Sequence, residues 1–230
     1  MTVVLTPAQR RGLSVGVATG LYGISFGALA VAAGLSVAQA SALSLLMFTG
    51  GSQFAFVGVV AGGGSLGSAT AAASLLGVRN AIYGVTANAM LRPRRWRRFA
   101  AAQVTIDESI ATASAAEDAD EERRGFWAGG LAVFVLWNLF TVVGALIGDA
   151  LGDPAAWGLD GAAVAAFLGL LWPRLRGRDP VAVAVVAAVV TVAVAPVVPP
   201  GIPIIIAAAV ALVMTAAQHR RHAGSGAVRP

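Results

Sequence analysis

The 230-residue sequence lacks cysteine and has only two histidines, and these shortages exclude several kinds of chemistry. Without cysteine the chain can form no disulfide, thiolate nucleophile or cysteine-ligated metal site. His219 and His222 lie in the polar stretch near the end of the sequence. The apolar part therefore lacks the usual residues of metal binding and acid–base catalysis, and we expect no metal, no other cofactor and no enzymatic activity.

Charge is also scarce in this sequence. Charged residues make up 12% of it and hydrophobic residues 57%, and no charged residue occurs between Arg11 and Arg79. A soluble domain carries about 25% charged residues, whereas about 20 consecutive apolar residues suffice to cross a bilayer. The sequence therefore predicts an all-α, polytopic helical membrane protein with about six to eight membrane segments, some of them broken or re-entrant.

The apolar windows predict a single transmembrane domain over residues 1–218 and a polar cytoplasmic tail over residues 219–230. A more polar segment at 99–115 is too short for an ordinary crossing. The windows cover residues 13–34, 41–61, 67–91, 125–148, 160–173, 181–197 and 202–218.

The positive charges, all of them arginines, predict the orientation of the chain. Short loops that contain arginine stay on the cytoplasmic side of a membrane. The lipid bilayer, through its anionic headgroups, is therefore the expected partner of these arginines, and nucleic acid is not. Arginines at 123–124, 174–178 and 220–221 alternate with loops that contain none, which predicts a multi-pass protein of the inner (plasma) membrane with a cytoplasmic C-terminus.

The first half of the chain does not alternate in this way. Arg10–Arg11 and the RPRRWRR run at 92–98 should both be cytoplasmic, yet three apolar windows lie between them. One window must fail to cross, and we expect it to be the one that contains TGGSQF, because paired glycines interrupt a helix. Segment 99–115 lies between two basic clusters and is expected to be re-entrant as well. Such segments are tolerated only inside protein or beside a wet cavity.

Arg79 is the most unusual residue of the apolar part. An arginine in the middle of a membrane costs about 3 kcal/mol on insertion scales, so Arg79 needs a partner, and Asp107 or Glu108 of the re-entrant segment is the expected one. Because arginine stays charged at any accessible pH, a carboxylate beside it is the expected proton-coupling group. An ion pair that only fixes the packing is the alternative.

Two further sets of small and polar residues lie inside the apolar windows. The first set is a stripe of glycines on one face of the first window, which we interpret as a packing seam, with a groove for substrate as the alternative. Its members are Gly12, Gly16, Gly20, Gly23, Gly27 and Gly34. The second set consists of candidate substrate-binding residues, namely Gly50, Gly51, Ser52, Gln53, Asn80, Trp137 and Asn138.

Three motifs in order resemble the AzlC family: FTGGSQFAF at 48–56, LLGVRNAIYG at 75–84 and TIDES at 105–109. Two later segments, LDGAAVAAFLGLLWPRLR at 159–176 and PPGIPIIIAAAVAL at 199–212, fit the same pattern. The family consists of large subunits of branched-chain amino acid exporters, which work with a small AzlD-type membrane subunit.

This resemblance implies a membrane transporter that exports hydrophobic amino acids such as valine, leucine, isoleucine or methionine, with proton coupling as the expectation. Gln53, Arg79, Asn80, Asp107 and Glu108 stand in the motif positions. Backbone groups freed at the glycines would bind the ammonium or carboxylate of the amino acid, while Phe54, Phe56 or Trp137 would line an apolar pocket. A channel or a structural membrane subunit without coupled transport is the alternative.

Orientation gives the first testable prediction. Single cysteines introduced at Arg11 and at Arg95 should both react with a membrane-impermeant thiol reagent from the cytoplasmic side only. The absence of native cysteine makes each label unique. Labelling of the two positions from opposite sides would contradict the re-entrant interpretation of the first half.

Overall fold

The computed structural model describes residues 5–151, 168–169 and 171–225, and in these residues it contains nine α-helices and no strand. The predicted all-α fold is thereby confirmed. The helices are α1 (Pro7–Ala32), α2 (Val37–Leu46), α3 (Gly50–Ala61), α4 (Leu66–Leu91), α5 (Arg97–Gln103), α6 (Asp107–Ser114), α7 (Ala119–Leu151), α8 (Arg178–Val194) and α9 (Ile202–Ser225), with one 3₁₀ turn at Trp172–Arg174.

Three of the described helices are long and apolar enough to cross a membrane: α1, α7 and the Ile202–Arg220 part of α9. α1 begins before the predicted position 13, because Thr6 and Gln9 form a capping box and Pro7 occupies the first turn. α9 continues beyond the predicted boundary at 218. Most of the predicted window 160–173, and the end of the tail from 226, lie outside the described residues.

The glycine stripe of α1 packs against the backbone of α7. A Cβ on Gly16 would lie 2.5 Å from the Cβ of Ala132, and one on Gly23 would lie 2.6 Å from the carbonyl oxygen of Trp137. Gly144 of α7 meets the backbone of α1 at Ile24 in the same way. The packing interpretation is confirmed for Gly12 through Gly27. Gly34 is the exception, since it follows the helix with φ +89° and has no described atom near its Cβ position.

The helix is interrupted where the paired glycines predicted. α2 ends at Leu46, residues 47–49 are not helical, and α3 begins at Gly50. At its start, α3 places Ser52 beside Gly77 in the middle of α4, and near its end Val59 packs against Ala69 and Ala72 at the start of α4. α3 therefore runs antiparallel to α4 towards the end of the molecule at which α4 begins and α1 ends, and the window 41–61 forms a re-entrant hairpin instead of a crossing.

Segment 99–115 forms a second re-entrant hairpin, α5–α6. At its beginning, Ala101 shares a buried cluster with Ala87 of α4 and Phe126 of α7. At its end, the carbonyl oxygen of Ala115 accepts a 2.6 Å hydrogen bond from Nη1 of Arg11. Both ends of this hairpin therefore lie at the end of the molecule that carries Arg10–Arg11 and residues 92–98, which we call the arginine end.

These contacts order the first half of the chain as long helix α1, hairpin, long helix α4, hairpin and long helix α7, of which α1 and α7 have the length and hydropathy of a membrane span. α4 begins opposite the arginine end, where Gly201 of the α8–α9 loop approaches Val59 and Ser68, and it ends at the arginine end. Its 26 residues extend about 39 Å. The two hairpins enter from opposite ends, so α1–α3 and α4–α6 form two units of opposite direction, as in transporters with inverted repeats. Arg10–Arg11 and residues 92–98 lie at one end, as predicted.

The predicted windows 181–197 and 202–218 form two helices separated by prolines. α8 and α9 are joined by a loop that contains Pro196, Pro199 and Pro200, and Nε2 of Gln218 donates to the carbonyl oxygen of Asp179. The two helices are therefore antiparallel. No side chain of α8 is buried against the other described residues.

The α1–α7 seam gives the second prediction. Gly27→Val would drive a side chain into the backbone of α7 at Thr141 and Ala145, so we expect a large loss of thermal stability and of membrane-inserted protein. Gly58→Val is the matched control, because a Cβ at Gly58 meets no described atom within 4 Å. Equal Tm values for the two variants in detergent would contradict the seam.

Candidate functional site

A cavity of about 240 Å³ lies where the turns of the two hairpins meet. The first turn and the start of α3 contribute Phe48 through Gly51, and the second turn and the start of α6 contribute Ile106 through Glu108. The remaining wall comes chiefly from α1, α4, α7 and the next turn of α3. Its main side chains are those of Thr19, Tyr22, Phe54, Arg79, Val133 and Trp137.

Gln53 holds the first turn in place. Its side chain is fully buried, and Nε2 donates to the carbonyl oxygens of Met47 at 2.7 Å and Ser44 at 3.3 Å. Its Oε1 accepts from Nε1 of Trp137 at 2.8 Å. Gln53 was expected among the substrate-binding residues. Its amide hydrogens, however, are committed to carbonyls that the broken helix releases, and Gln53 is not part of the cavity wall.

Because Gly50 and Gly51 have no side chains, the ring of Trp137 and the guanidinium of Arg79 lie close to the start of α3. A Cβ on Gly50 would lie 3.0 Å from Cη2 of Trp137, and one on Gly51 would lie 3.0 Å from Nη2 of Arg79. Both distances are tighter than ordinary van der Waals contact. The first N–H groups of α3 receive no side-chain cap from Thr49. The start of α3 thus presents backbone donors beside a guanidinium group.

Arg79 and Asp107 form the ion pair that the sequence predicted. Nη1 of Arg79 lies 3.0 Å from Oδ2 of Asp107, and the two side chains keep 33% and 21% of their surface exposed. Tyr83, one turn after Arg79 on α4, interacts with the same carboxylate. The buried Nε of Arg79 has no hydrogen-bond partner among the described residues, so the guanidinium is only partly satisfied. The coupling role of the pair stays a prediction.

Glu108 follows Asp107 at the start of α6 and faces α1, where it interacts with the side chain of Thr19. Ser109 caps this helix, because its Oγ accepts from the N–H of Ile106. Acidic side chains in a first turn are favoured by the helix dipole. The two helix starts at the cavity therefore differ, since α6 carries its own carboxylates whereas α3 carries only glycines and backbone donors.

Aromatic rings form the apolar side of the site. Trp137 stacks on Phe26 with ring centroids 6.1 Å apart and meets Phe54 edge-on at 6.2 Å. Phe48 packs edge-on against Phe134 at 4.9 Å. Of these rings, Phe48, Phe54 and Trp137 also line the cavity. The cavity therefore joins a charged wall to an aromatic one.

Several of the predicted substrate-binding residues lie off this cavity. Ser52 is buried with its Oγ towards Gly77 of α4, and Nδ2 of Asn138 donates to the carbonyl oxygen of Phe134 at 2.8 Å. Asn80 lines a separate recess, and Phe56 is not in the wall. Gly50, Gly51 and Trp137 are the predicted substrate-binding residues that do line it.

Sequence reasoning missed Thr19 and Tyr22, which line the cavity from α1. Both flank the glycine stripe, within one helical turn of each other. Their hydroxyl groups next to the glycine stripe could have indicated this position, because residues beside the stripe face the same neighbouring helices as the glycines.

The Gln53 amide gives the third prediction. Gln53→Leu removes all three hydrogen bonds and leaves the Trp137 N–H and the Ser44 carbonyl without these partners, while the Met47 carbonyl still accepts from the N–H of Thr49. We therefore expect a loss of stability of about 1–3 kcal/mol for each of the two groups. Trp137→Phe removes the indole donor and also part of a buried ring that packs on Phe26 and Phe54, so it should lower stability through both losses. Thermal unfolding in detergent measures both, and a Gln53→Leu variant as stable as the parent would contradict this role.

A family model described as AzlC protein matches residues 14–151, more than half of the chain. The matched part begins within α1 and ends with α7, so it contains both hairpins and the Arg79–Asp107 pair. The resemblance of the segments after 151 lies outside this match and stays a prediction. No curated protein and no solved structure matches the chain. Because the family match covers all three motifs and most of the cavity, the chain belongs to the AzlC family, which is associated with branched-chain amino acid transport.

Proposed function

We propose that this chain exports branched-chain and other hydrophobic amino acids, such as valine, leucine, isoleucine or methionine, and couples their export to protons. The observation that carries the proposal is the cavity between the two hairpins, where a guanidinium, two carboxylates and aromatic rings line one small space. A hydrophobic amino acid has complementary parts, namely a carboxylate, an ammonium group and an aliphatic side chain.

The carboxylate of the amino acid binds at the start of α3 in this proposal. The uncapped N–H groups of Gly50 and Gly51 and the guanidinium of Arg79 favour an anion there. Charge-assisted hydrogen bonds of this kind are about twice as strong as neutral ones. Because the two glycines carry no side chains, the carboxylate of the amino acid can come close to these N–H groups.

The ammonium group binds at the opposite wall, beside Glu108 and Asp107 at the start of α6. The aliphatic side chain then lies against Phe48, Phe54 and Trp137, which line the same cavity. The volume of about 240 Å³ lies below the roughly 300–1,000 Å³ of sites for drug-sized ligands, and it suits a single amino acid. We expect peptides to be excluded on the same ground.

Proton coupling is assigned to the carboxylates. Arg79 keeps its charge throughout, whereas Asp107 or Glu108 can take up and release a proton at the site where the ammonium group of the substrate binds. Competition between a proton and an ammonium group for one carboxylate links the two fluxes. A channel or structural subunit would have no need of this competition.

The setting of the chain is part of the same proposal. We place the arginine end and the C-terminus in the cytoplasm and the chain in the inner (plasma) membrane, by the positive-inside rule. A small AzlD-type membrane subunit is the proposed partner. The side chains of α8, which remain unburied by the described residues, are available to that subunit or to lipid.

The fourth prediction separates coupled transport from a channel. Asp107→Asn with Glu108→Gln neutralises both carboxylates at nearly constant shape, so we expect inserted protein that no longer concentrates amino acid when a pH gradient is imposed. Arg79→Ala leaves Asp107 without its cation and should lower the transport rate at least tenfold. Flux of labelled valine, leucine, isoleucine and methionine in vesicles, with and without a pH gradient, measures both.

Asp118→Asn is the matched control, because this exposed residue lies in the loop before α7, away from the cavity. Its transport should equal that of the parent chain. Accumulation that is still pH-dependent in the double variant would contradict the assigned coupling group. Flux that never exceeds equilibration in the parent chain would favour the channel.

A further inference from the structure

A groove runs between α4 and α5, on the face of α4 that carries Asn80 and Gly84. It consists of two adjoining recesses of about 420 and 360 Å³, which share Gly84, Ala102 and Thr105. The first recess begins at Phe48 and Thr49, which also line the central cavity. The second ends at Pro93 and Arg98, at the arginine end. We call these two recesses together the α4–α5 groove.

The lining of the groove mixes apolar side chains with a few polar ones. Asn80, Gly84 and Asn88 follow one another at four-residue spacing on α4. On the other wall, Gln103 and Thr105 donate to the carbonyl oxygens of Leu45 and Ala101. The buried Oδ1 of Asn80 has no hydrogen-bond partner among the described residues. This acceptor is closed to solvent here and gains a polar partner only when the groove widens.

The lipid-facing side of α4 looks different. Val78, Ile82 and Val85 are 58%, 65% and 73% exposed, and they lie on another face of the helix than Asn80 and Gly84. The face of α4 that lines the groove is therefore more polar than the face with these three exposed apolar side chains. A helix that contacted only lipid would not need two different faces.

We propose that the α4–α5 groove is the route by which the amino acid passes between the central cavity and the arginine end. This inference rests on the proposed function. Phe48 and Thr49, in the turn of the first hairpin, form the wall between the groove and the cavity, so the passage is controlled where the helix is broken. Asn80 then contacts the substrate on its way instead of holding it at the central site.

Gly84 offers a direct test, because a Cβ there meets no described atom within 4 Å and a new side chain enters the groove without a clash. The chain has no native cysteine, so Gly84→Cys carries a unique thiol. We expect a membrane-impermeant, cationic methanethiosulfonate to modify it from the arginine end at least tenfold faster than Val85→Cys, whose thiol faces lipid and stays protonated. Trp96→Cys, at the exposed arginine end, identifies the vesicles that present this end to the reagent.

Modification of Gly84→Cys should then lower the flux of the labelled amino acid mixture at least tenfold. Gly58→Cys is the matched control, since its Cβ also points into open space but far from the groove, and its modification should leave flux unchanged. A slow or absent reaction at Gly84→Cys, equal reaction at Val85→Cys, or unchanged flux after modification would each overturn the route.

Binding separates this inference from the function on which it rests. Detergent-solubilised Gly84→Cys chain, before and after modification, should bind the labelled amino acids equally, because the central cavity is untouched. Loss of binding only after modification would place Gly84 in the binding site and overturn the route. Failure of the unmodified parent chain to bind or transport the mixture would contradict the proposed function itself.

Discussion

A backbone that breaks inside a bilayer must find hydrogen-bond partners within the protein, because lipid supplies none. In this chain one buried amide, that of Gln53, satisfies the carbonyls of Ser44 and Met47 and is itself oriented by the Trp137 indole. The position of α3, and with it the approach of Gly50 and Gly51 to Trp137 and Arg79, depends on that small network. Gln53 acts on the site by positioning these groups.

The two hairpins give the cavity an uneven distribution of charge. Two half-helices start at one place with their positive dipole ends towards it, but only α6 carries carboxylates in its first turn. Arg79 lies between the two starts and pairs with one of these carboxylates. A site assembled in this way has a positive side and a negative side next to each other, without any charged side chain on α3.

Much of this arrangement was open to prediction, because each signal was local. Paired glycines beside an amide marked the break, an unpaired arginine required a carboxylate, and the glycine spacing marked the seam. We could not predict which groups Gln53, Asn80 and Asn138 would contact. Helical spacing shows which residues share a face, but it does not show which helix packs against that face. Thr19 and Tyr22 were missed for the same reason. The opposed directions of α1–α3 and α4–α6 were not predictable either, since they follow from contacts between helices and no internal repeat is visible in the sequence.

The seam between α1 and α7 has a mechanical consequence. The backbones of α1 and α7 are in contact at Gly16, Gly23 and Gly144. A shift of one helix along the other would cause a steric clash, so we expect the two helices to form one rigid unit. The α5–α6 hairpin joins this rigid unit, because Gly125, Gly129 and Gly130 of α7 meet Val104 and Thr112 at similarly short distances. Among the described residues that line the cavity, those of α4 and of the first hairpin lack such interlocking with α7, so Trp137 stands on the rigid unit and Arg79 does not.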